Sequence, residues 1–213
     1  MTDWQELYRS KLVTSDEAVS HIPDNCRVFF GHAANEPSVL VDALVRNYER
    51  FTNVEITHWV PLGRSEYCDP KMAGHFRHNA MFVGAATRKA VQEGRADYTP
   101  FFYHQSTRFF SDGTFPIDVA MVSCTPPDKH GYVSLGVSVG GTKPAVLNAK
   151  MVIAQVNDQM PRTMGDSFVH VSQLTYCVEA SMPILEMGGG VITEVGDLAF
   201  SYVKRNRKIK DFG

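Results

Sequence analysis

Short apolar runs alternate along this chain with stretches in which hydrophobic residues recur at every third or fourth position. Arg27-Val28-Phe29-Phe30-Gly31 reads as a buried strand, because β-branched and aromatic residues suit a pleated surface. A loop from His32 to Pro37 leads into a helical stretch in which Val39, Leu40, Leu44 and Val45 share one face. Further strands are predicted at Val54 to Val60, Phe76 to Val83, Tyr98 to His104, Ile117 to Cys124 and Gly131 to Val139. Ala85 to Glu93 is a predicted helix stopped by Gly94, and Lys143 to Ala149 is another. Met151 to Val156 is a near-continuous apolar run, as in a strand covered on both faces, and Thr175 to Glu179 is a further strand. The opening is helical, and Thr14-Ser15-Asp16-Glu17 fits a capping box with Thr14 as N-cap.

Helices between buried strands predict an α/β fold: a mostly parallel open sheet with helices on both faces. That domain is expected over residues 1–186. Met187-Gly188-Gly189-Gly190 then opens a linker, and 187–213 is expected to be Gly linker plus a helix. Its stripe of Val195, Leu198, Ala199, Tyr202 and Val203 needs a surface to cover. The basic run from Lys204 to Lys210 reads as the solvated end of that helix, where cations suit the dipole.

Composition narrows the function classes. The 213 residues carry 44% hydrophobic and 21% charged side chains and a net charge of −2, so no global field recruits nucleic acid or an anionic membrane. The start, MTDWQELYRS, is polar and predicts no signal peptide, and no apolar run is long enough for a membrane span. Cys26, Cys68, Cys124 and Cys177 are far apart, as expected of reduced thiols in a cytoplasmic protein. His75 and His78 form an H-x-x-H without a further ligand at zinc-site spacing, so no metal site is expected. Neither a dinucleotide or phosphate loop nor a G-x-S-x-G elbow is present.

In an open α/β sheet, ligands bind beyond the carboxyl ends of the strands. Three loops are candidates. In Gly31-His32-Ala33-Ala34-Asn35-Glu36-Pro37, small residues allow close backbone approach, while His32 and Glu36 offer a proton donor and a carboxylate. A plain strand-to-helix turn is the alternative. In Ser123 to Gly131, two prolines stiffen the loop and Asp128 and His130 can meet on one side, with a structural turn again the alternative. Cys124 reads there as a small core residue. Asn157-Asp158-Gln159-Met160-Pro161-Arg162 is rich in polar grips, or is a turn held by Asn and Asp.

GHAANEPSVLVDAL, PDKHGYVSLGVS and above all NAKMVIAQVNDQMPRTMGDSFVHVSQLTYCVE resemble the acetyl-CoA hydrolase/transferase family, which includes the 4-hydroxybutyrate and acetate CoA-transferases. Weaker similarity, including THWVPLGRSEY and TRKAVQEGRADYTPFFYH, runs from Trp4 to Glu179. The resemblance implies the N-terminal one of two α/β halves, with the active site between them. It implies a glutamate that attacks a short-chain acyl-CoA, such as acetyl-CoA or 4-hydroxybutyryl-CoA. An acyl-glutamyl anhydride and then a glutamyl-CoA thioester follow, before transfer to a carboxylate acceptor. That glutamate is expected in the second half, so no catalytic nucleophile is assigned here. Glu186 and Glu194 fall, by the family pattern, in the linker and the following helix.

The resemblance also implies that the coenzyme A thioester is a substrate, that no cofactor is permanently bound, and that the partner is a second CoA-transferase half in the same or a separate chain. Homo-oligomerisation stays open. His32 matches a family histidine of the active-site region, and Asn35, Glu36 and Asp128 are further candidates for lining the cleft. Gly136, Asn157, Asp158 and Gln159 match family positions whose role in binding or folding stays open. The linker departs from the family pattern, which has proline and few glycines there. The chain alone is expected to be inactive. The alternatives are a non-catalytic CoA- or partner-binding module derived from the fold, and a truncated piece.

Overall fold

The apolar runs become the strands of one sheet. The structure, a computed structural model, describes residues 3–186. The expected linker and final helix at 187–213, with Glu194, the Val195 to Val203 stripe and the basic run, lie outside the described residues. The chain opens with α1 (Trp4–Ser10) and α2 (Ser15–Ser20), then β1 (Arg27–Phe30), α3 (Ser38–Arg46), β2 (Val54–His58) and β3 (Phe76–Ala80). It continues with α4 (Ala85–Gln92), β4 (Ala96–Tyr98), α5 (Ser106–Ser111), β5 (Val119–Cys124) and β6 (Tyr132–Ser134). The last elements are α6 (Thr142–Asn148), β7 (Met151–Asn157), β8 (Phe168–His170) and β9 (Tyr176–Ala180).

Seven strands form a parallel sheet in the order β4-β3-β2-β1-β5-β7-β9. On β1, Val28 pairs with Ile56 of β2 on one side and Val119 of β5 on the other. Lys11 to Val13 runs beside β9: Val13 donates its amide to the Cys177 carbonyl, and Cys177 donates to that of Lys11.

Alternating side chains give the sheet two hydrophobic faces, each covered by helix, which is the α/β arrangement predicted. One core joins Ala18 and Val19 of α2 and Leu40 and Leu44 of α3 to Val28, Phe30, Ile56, Met121 and Ile153. The other joins Phe29, Ala120, Val122 and Ala154 to Ala145 and Val146 of α6, Phe110 of α5 and, at its margin, Trp4 and Leu7 of α1. Leu40 and Leu44 are fully buried, and each such side chain contributes roughly 1.5–3 kcal/mol over an exposed one. Val39 and Val45 are only partly buried, at the edge of that stripe. Thr14 caps α2 as predicted, its hydroxyl accepting the Glu17 amide at 3.2 Å.

Three expectations change. The strand predicted at Tyr98 to His104 is displaced to Ala96–Tyr98, and Tyr103–Gln105 is a 3-10 turn leading into α5. Thr99 makes the last amide bond to Ala80, and Pro100 has no N–H to extend the ladder. The strand predicted at Gly131 to Val139 shrinks to β6, which pairs antiparallel with β8 outside the main sheet. Gly131 (φ 82°) and Gly136 (φ 66°) lie in left-handed conformations on either side of β6 and interrupt the extended run.

Candidate functional site

From β1 the chain crosses to β2, and from β5 it later crosses to β7, in opposite directions from the centre of the sheet. Such a reversal opens a crevice beyond the carboxyl ends of the two strands. The loops after β1 and β5 both start there, and the loop after β7 lies on the next strand.

The first loop turns back tightly into the sheet. Ala33 takes a left-handed φ of 51° and starts the 3-10 turn Ala33–Asn35. A Cβ on Gly31 would lie 2.2 Å from Asn35 Oδ1, so this approach requires glycine. Asn35 is wholly buried, and its Nδ2 donates to the carbonyls of Ser123 (2.7 Å) and Leu135 (2.6 Å). Its amide therefore ties the β1 loop to the end of β5 and to the chain after β6.

His32 sits edge-on to Trp59, with ring centroids 4.9 Å apart, and its Nε2 is 3.0 Å from the Ser138 hydroxyl. Burial pulls the imidazole down to about 4, so it is neutral at pH 7. With Nε2 accepting from Ser138, Nδ1 carries the proton and has no protein partner. A neutral imidazole of this kind can donate to an oxygen without adding charge.

Glu36 accepts the amides of Leu62 (3.0 Å) and Gly63 (2.9 Å) on Oε2. Burial raises its carboxyl above the ordinary range, and the Gly63 and Leu62 amides oppose that rise. It borders a cavity of about 250 Å³ shared with Ser38, Asp42, Leu62, Arg64 and Glu66. The start of α3 draws on the sheet as well, since Gln155 Oε1 of β7 accepts the Val39 amide at 2.9 Å.

Asp128 is engaged in its own turn. Its Oδ1 accepts the amides of His130 (2.8 Å) and Tyr132 (3.0 Å), and its Oδ2 pairs with Arg162 at 2.7 Å. The Tyr132 amide leads in holding its carboxyl below the usual range. It meets His130 through the backbone, and the His130 side chain is exposed. In the third loop, Asn157 bonds the amide and carbonyl of Met182 (3.2 and 2.8 Å), and Gln159 reaches Ser181. Asp158 is exposed, and Gly136 lies against Met160, whose Sδ would be 2.2 Å from an added Cβ.

The Cys124 thiol is raised well above its ordinary range by complete burial, which removes its nucleophilic thiolate at neutral pH. His75 and His78 direct their Nδ1 atoms to the carbonyls of Phe51 and Ile56. Among the described residues no group of three His, Cys, Asp or Glu is placed to hold a metal ion, and no helix is long and apolar enough to cross a membrane.

Sequence reasoning missed Trp59, Ser138, Gln155 and Tyr67. Trp59 sits directly after β2, at a carboxyl end, and that position was a usable signal. Ser138 lies 106 positions from His32, and no local pattern joins them.

The family model for the acetyl-CoA hydrolase/transferase N-terminal domain matches residues 1–186. The 4-hydroxybutyrate coenzyme A transferase of Clostridium kluyveri is 52% identical over 185 residues, which are 87% of this chain and 43% of the relative. Among solved structures, a 4-hydroxybutyrate CoA-transferase from Porphyromonas gingivalis aligns at 34% identity with a TM-score of 0.73, over 88% of this chain and 44% of its own. RipA from Yersinia pestis aligns at 28% identity with a TM-score of 0.84, over 91% of this chain and 47% of its own. The chain thus spans under half the length of each of these relatives.

Proposed function

The chain belongs to the acetyl-CoA hydrolase/transferase family through its N-terminal domain, and from that premise we propose that it forms one wall of a CoA-transferase active site. The substrates are a short-chain acyl-CoA and a carboxylate acceptor. The other wall is a second half, in the same or a separate chain, which supplies the glutamate. That carboxylate attacks the thioester carbonyl, the C–S bond breaks, and CoA leaves as thiolate from an acyl-glutamyl anhydride. CoA then attacks the glutamyl carbonyl, the acyl group departs as a carboxylate, and the acceptor repeats the sequence in reverse.

The observation that carries this reading is the 52% identity to a 4-hydroxybutyrate CoA-transferase across the stretch that holds all three loops. The geometry supports a holding role. His32 offers one hydrogen-bond donor without charge, suited to an acyl or carboxylate oxygen. Glu36 sets the neighbouring backbone at Leu62 and Gly63, while Asn35 and Asp128 shape the loops around the crevice. Work takes place in a cytoplasmic setting, and no resident cofactor enters the scheme.

The test is transfer from acetyl-CoA to 4-hydroxybutyrate by the purified chain, alone and mixed with the C-terminal half of the Clostridium kluyveri relative. Turnover is expected only in the mixture, and His32→Ala lowers it. Turnover by the chain alone that vanishes when one of its own glutamates is replaced overturns the proposal. CoA binding by calorimetry with no turnover in any mixture would instead mark a binding module.

A further inference from the structure

Beneath the candidate site, on the α3 face of the sheet, two buried histidines stack. His58, at the end of β2, and His78, on β3, have ring centroids 4.4 Å apart and planes 21° apart. His58 Nδ1 is 3.0 Å from the Trp59 carbonyl, and its Nε2 is 2.5 Å from the Tyr67 hydroxyl. Tyr67 Oη in turn is 3.1 Å from Ser65 Oγ. Hydrogen-bond chemistry fixes the protons. A neutral His58 donates Nδ1–H to Trp59, so Nε2 accepts the Tyr67 hydroxyl hydrogen, and Ser65 donates to Tyr67. His78 likewise donates Nδ1–H to Ile56 at 2.9 Å, which leaves its buried Nε2 lone pair without a partner.

A further proton fits poorly here. On His58 it would oppose the Tyr67 hydroxyl hydrogen and force the chain to reverse. On His78 it would make a buried N–H with no acceptor, next to the other ring. Phe30 of β1 lies against His58, and Glu36 and Cys68 act on Tyr67. Glu55 of β2 and Asp97 of β4 face His78, and His32 of the β1 loop faces His58.

We propose that the Ser65–Tyr67–His58 chain is an acid-releasable anchor for residues 59–68. This segment holds Trp59 against His32 and places the Leu62 and Gly63 amides on Glu36. At neutral pH the anchor holds it in place. As pH falls, proton uptake by His58, His78 and His32 favours the released segment, while the hydrogen-bonded centre of the sheet at β5 and β7 stays intact. Ser65 carries a left-handed φ of 54°, a conformation that release relaxes.

The direction follows from burial, which draws His78 and His32 down to about 4 and His58 well below its ordinary value. The anchored state therefore binds fewer protons than the released one, and it loses stability as pH drops from about 6.5 toward 4. Each participating histidine raises the opening constant about tenfold per pH unit within that window. The proposal concerns the free chain and does not depend on its substrate.

The experiment is amide hydrogen exchange on the full chain between pH 7 and pH 5, corrected for intrinsic rates. Protection at Leu62, Gly63, Cys68 and Asp69 is expected to fall by more than about tenfold per pH unit, while Ile153 and Ala154 of β7 hold theirs. His78→Gln should flatten that slope. Tyr67→Phe should raise segment opening about tenfold at pH 7 and leave β7 unchanged, the effect of one lost hydrogen bond. Segment protection that is independent of pH overturns the proposal. So does loss of β7 protection in step with the segment, or an unchanged slope in His78→Gln. Should His78→Gln fail to fold, the slope and Tyr67→Phe decide alone.

Discussion

Replacing Asn35 tests whether the crevice is held together by a single side-chain amide. In Asn35→Ala the carbonyls of Ser123 and Leu135 lose their 2.7 and 2.6 Å donor in a fully buried position. Each orphaned buried acceptor costs about 1–3 kcal/mol, and partial relaxation brings the expected total to roughly 2–5 kcal/mol. That is a large share of the roughly 5–15 kcal/mol that holds a typical domain folded. Asn35→Asp keeps the shape but sets a carboxylate against two carbonyl oxygens. Its folded pKa must therefore rise above the unfolded value. A raised folded pKa means the variant is best stabilised below the unfolded carboxyl pKa, and that stability is lost as pH rises through the folded one. Urea unfolding at pH 5 and pH 8 reads both effects. The midpoint of Asn35→Ala should fall at either pH without a change in slope, and Asn35→Asp should lose more at pH 8 than at pH 5. An Asn35→Ala midpoint within about 0.5 kcal/mol of the parent would show that these bonds do not hold the crevice.

Two further substitutions probe the surrounding packing. A Cβ on Gly141 would lie 1.8 Å from Trp59 Cη2, so Gly141→Ala must displace a buried indole. It should cost about 1–3 kcal/mol and shift the tryptophan emission, and an unmoved spectrum would refute the contact. Asp128 has its carboxyl pKa held down, chiefly by the Tyr132 amide, so it stabilises the fold above the unfolded carboxyl pKa and loses that effect as pH falls through the folded one. Asp128→Asn should flatten the acid limb of the thermal-melting profile, and an unaltered limb would count against the turn.

Much of this was legible in the sequence, for identifiable reasons. β5 and β7 are covered on both faces, so their runs are apolar throughout and stand out. The apolar stripe of α3 was read with its centre correct and its margins too generous, because Val39 and Val45 sit at the rim. β6 and β8 are three residues each and pair only with one another, too short to leave a period. α5 hides behind Pro100 in an aromatic stretch that reads equally well as strand. At the site, the strand-to-helix position pointed to His32 and Glu36. Their partners Ser138, Trp59, Leu62 and Gly63 come from other loops, and only the folded sheet brings them together. For Asp128 the structure supplies a turn that accounts for the residue in full.

The strand order also governs how the chain can assemble as it leaves the ribosome. β1 to β4 emerge first and can pair among themselves, but the other side of β1 stays bare until β5 arrives some ninety residues later. β9 comes last, and the stretch that lies along its open side, Lys11 to Val13, was made among the first. Synthesis is thus closed by its own beginning. A nascent chain stalled before β5, or one stripped of its opening residues, presents an unpaired row of amides and carbonyls on which other chains can pair.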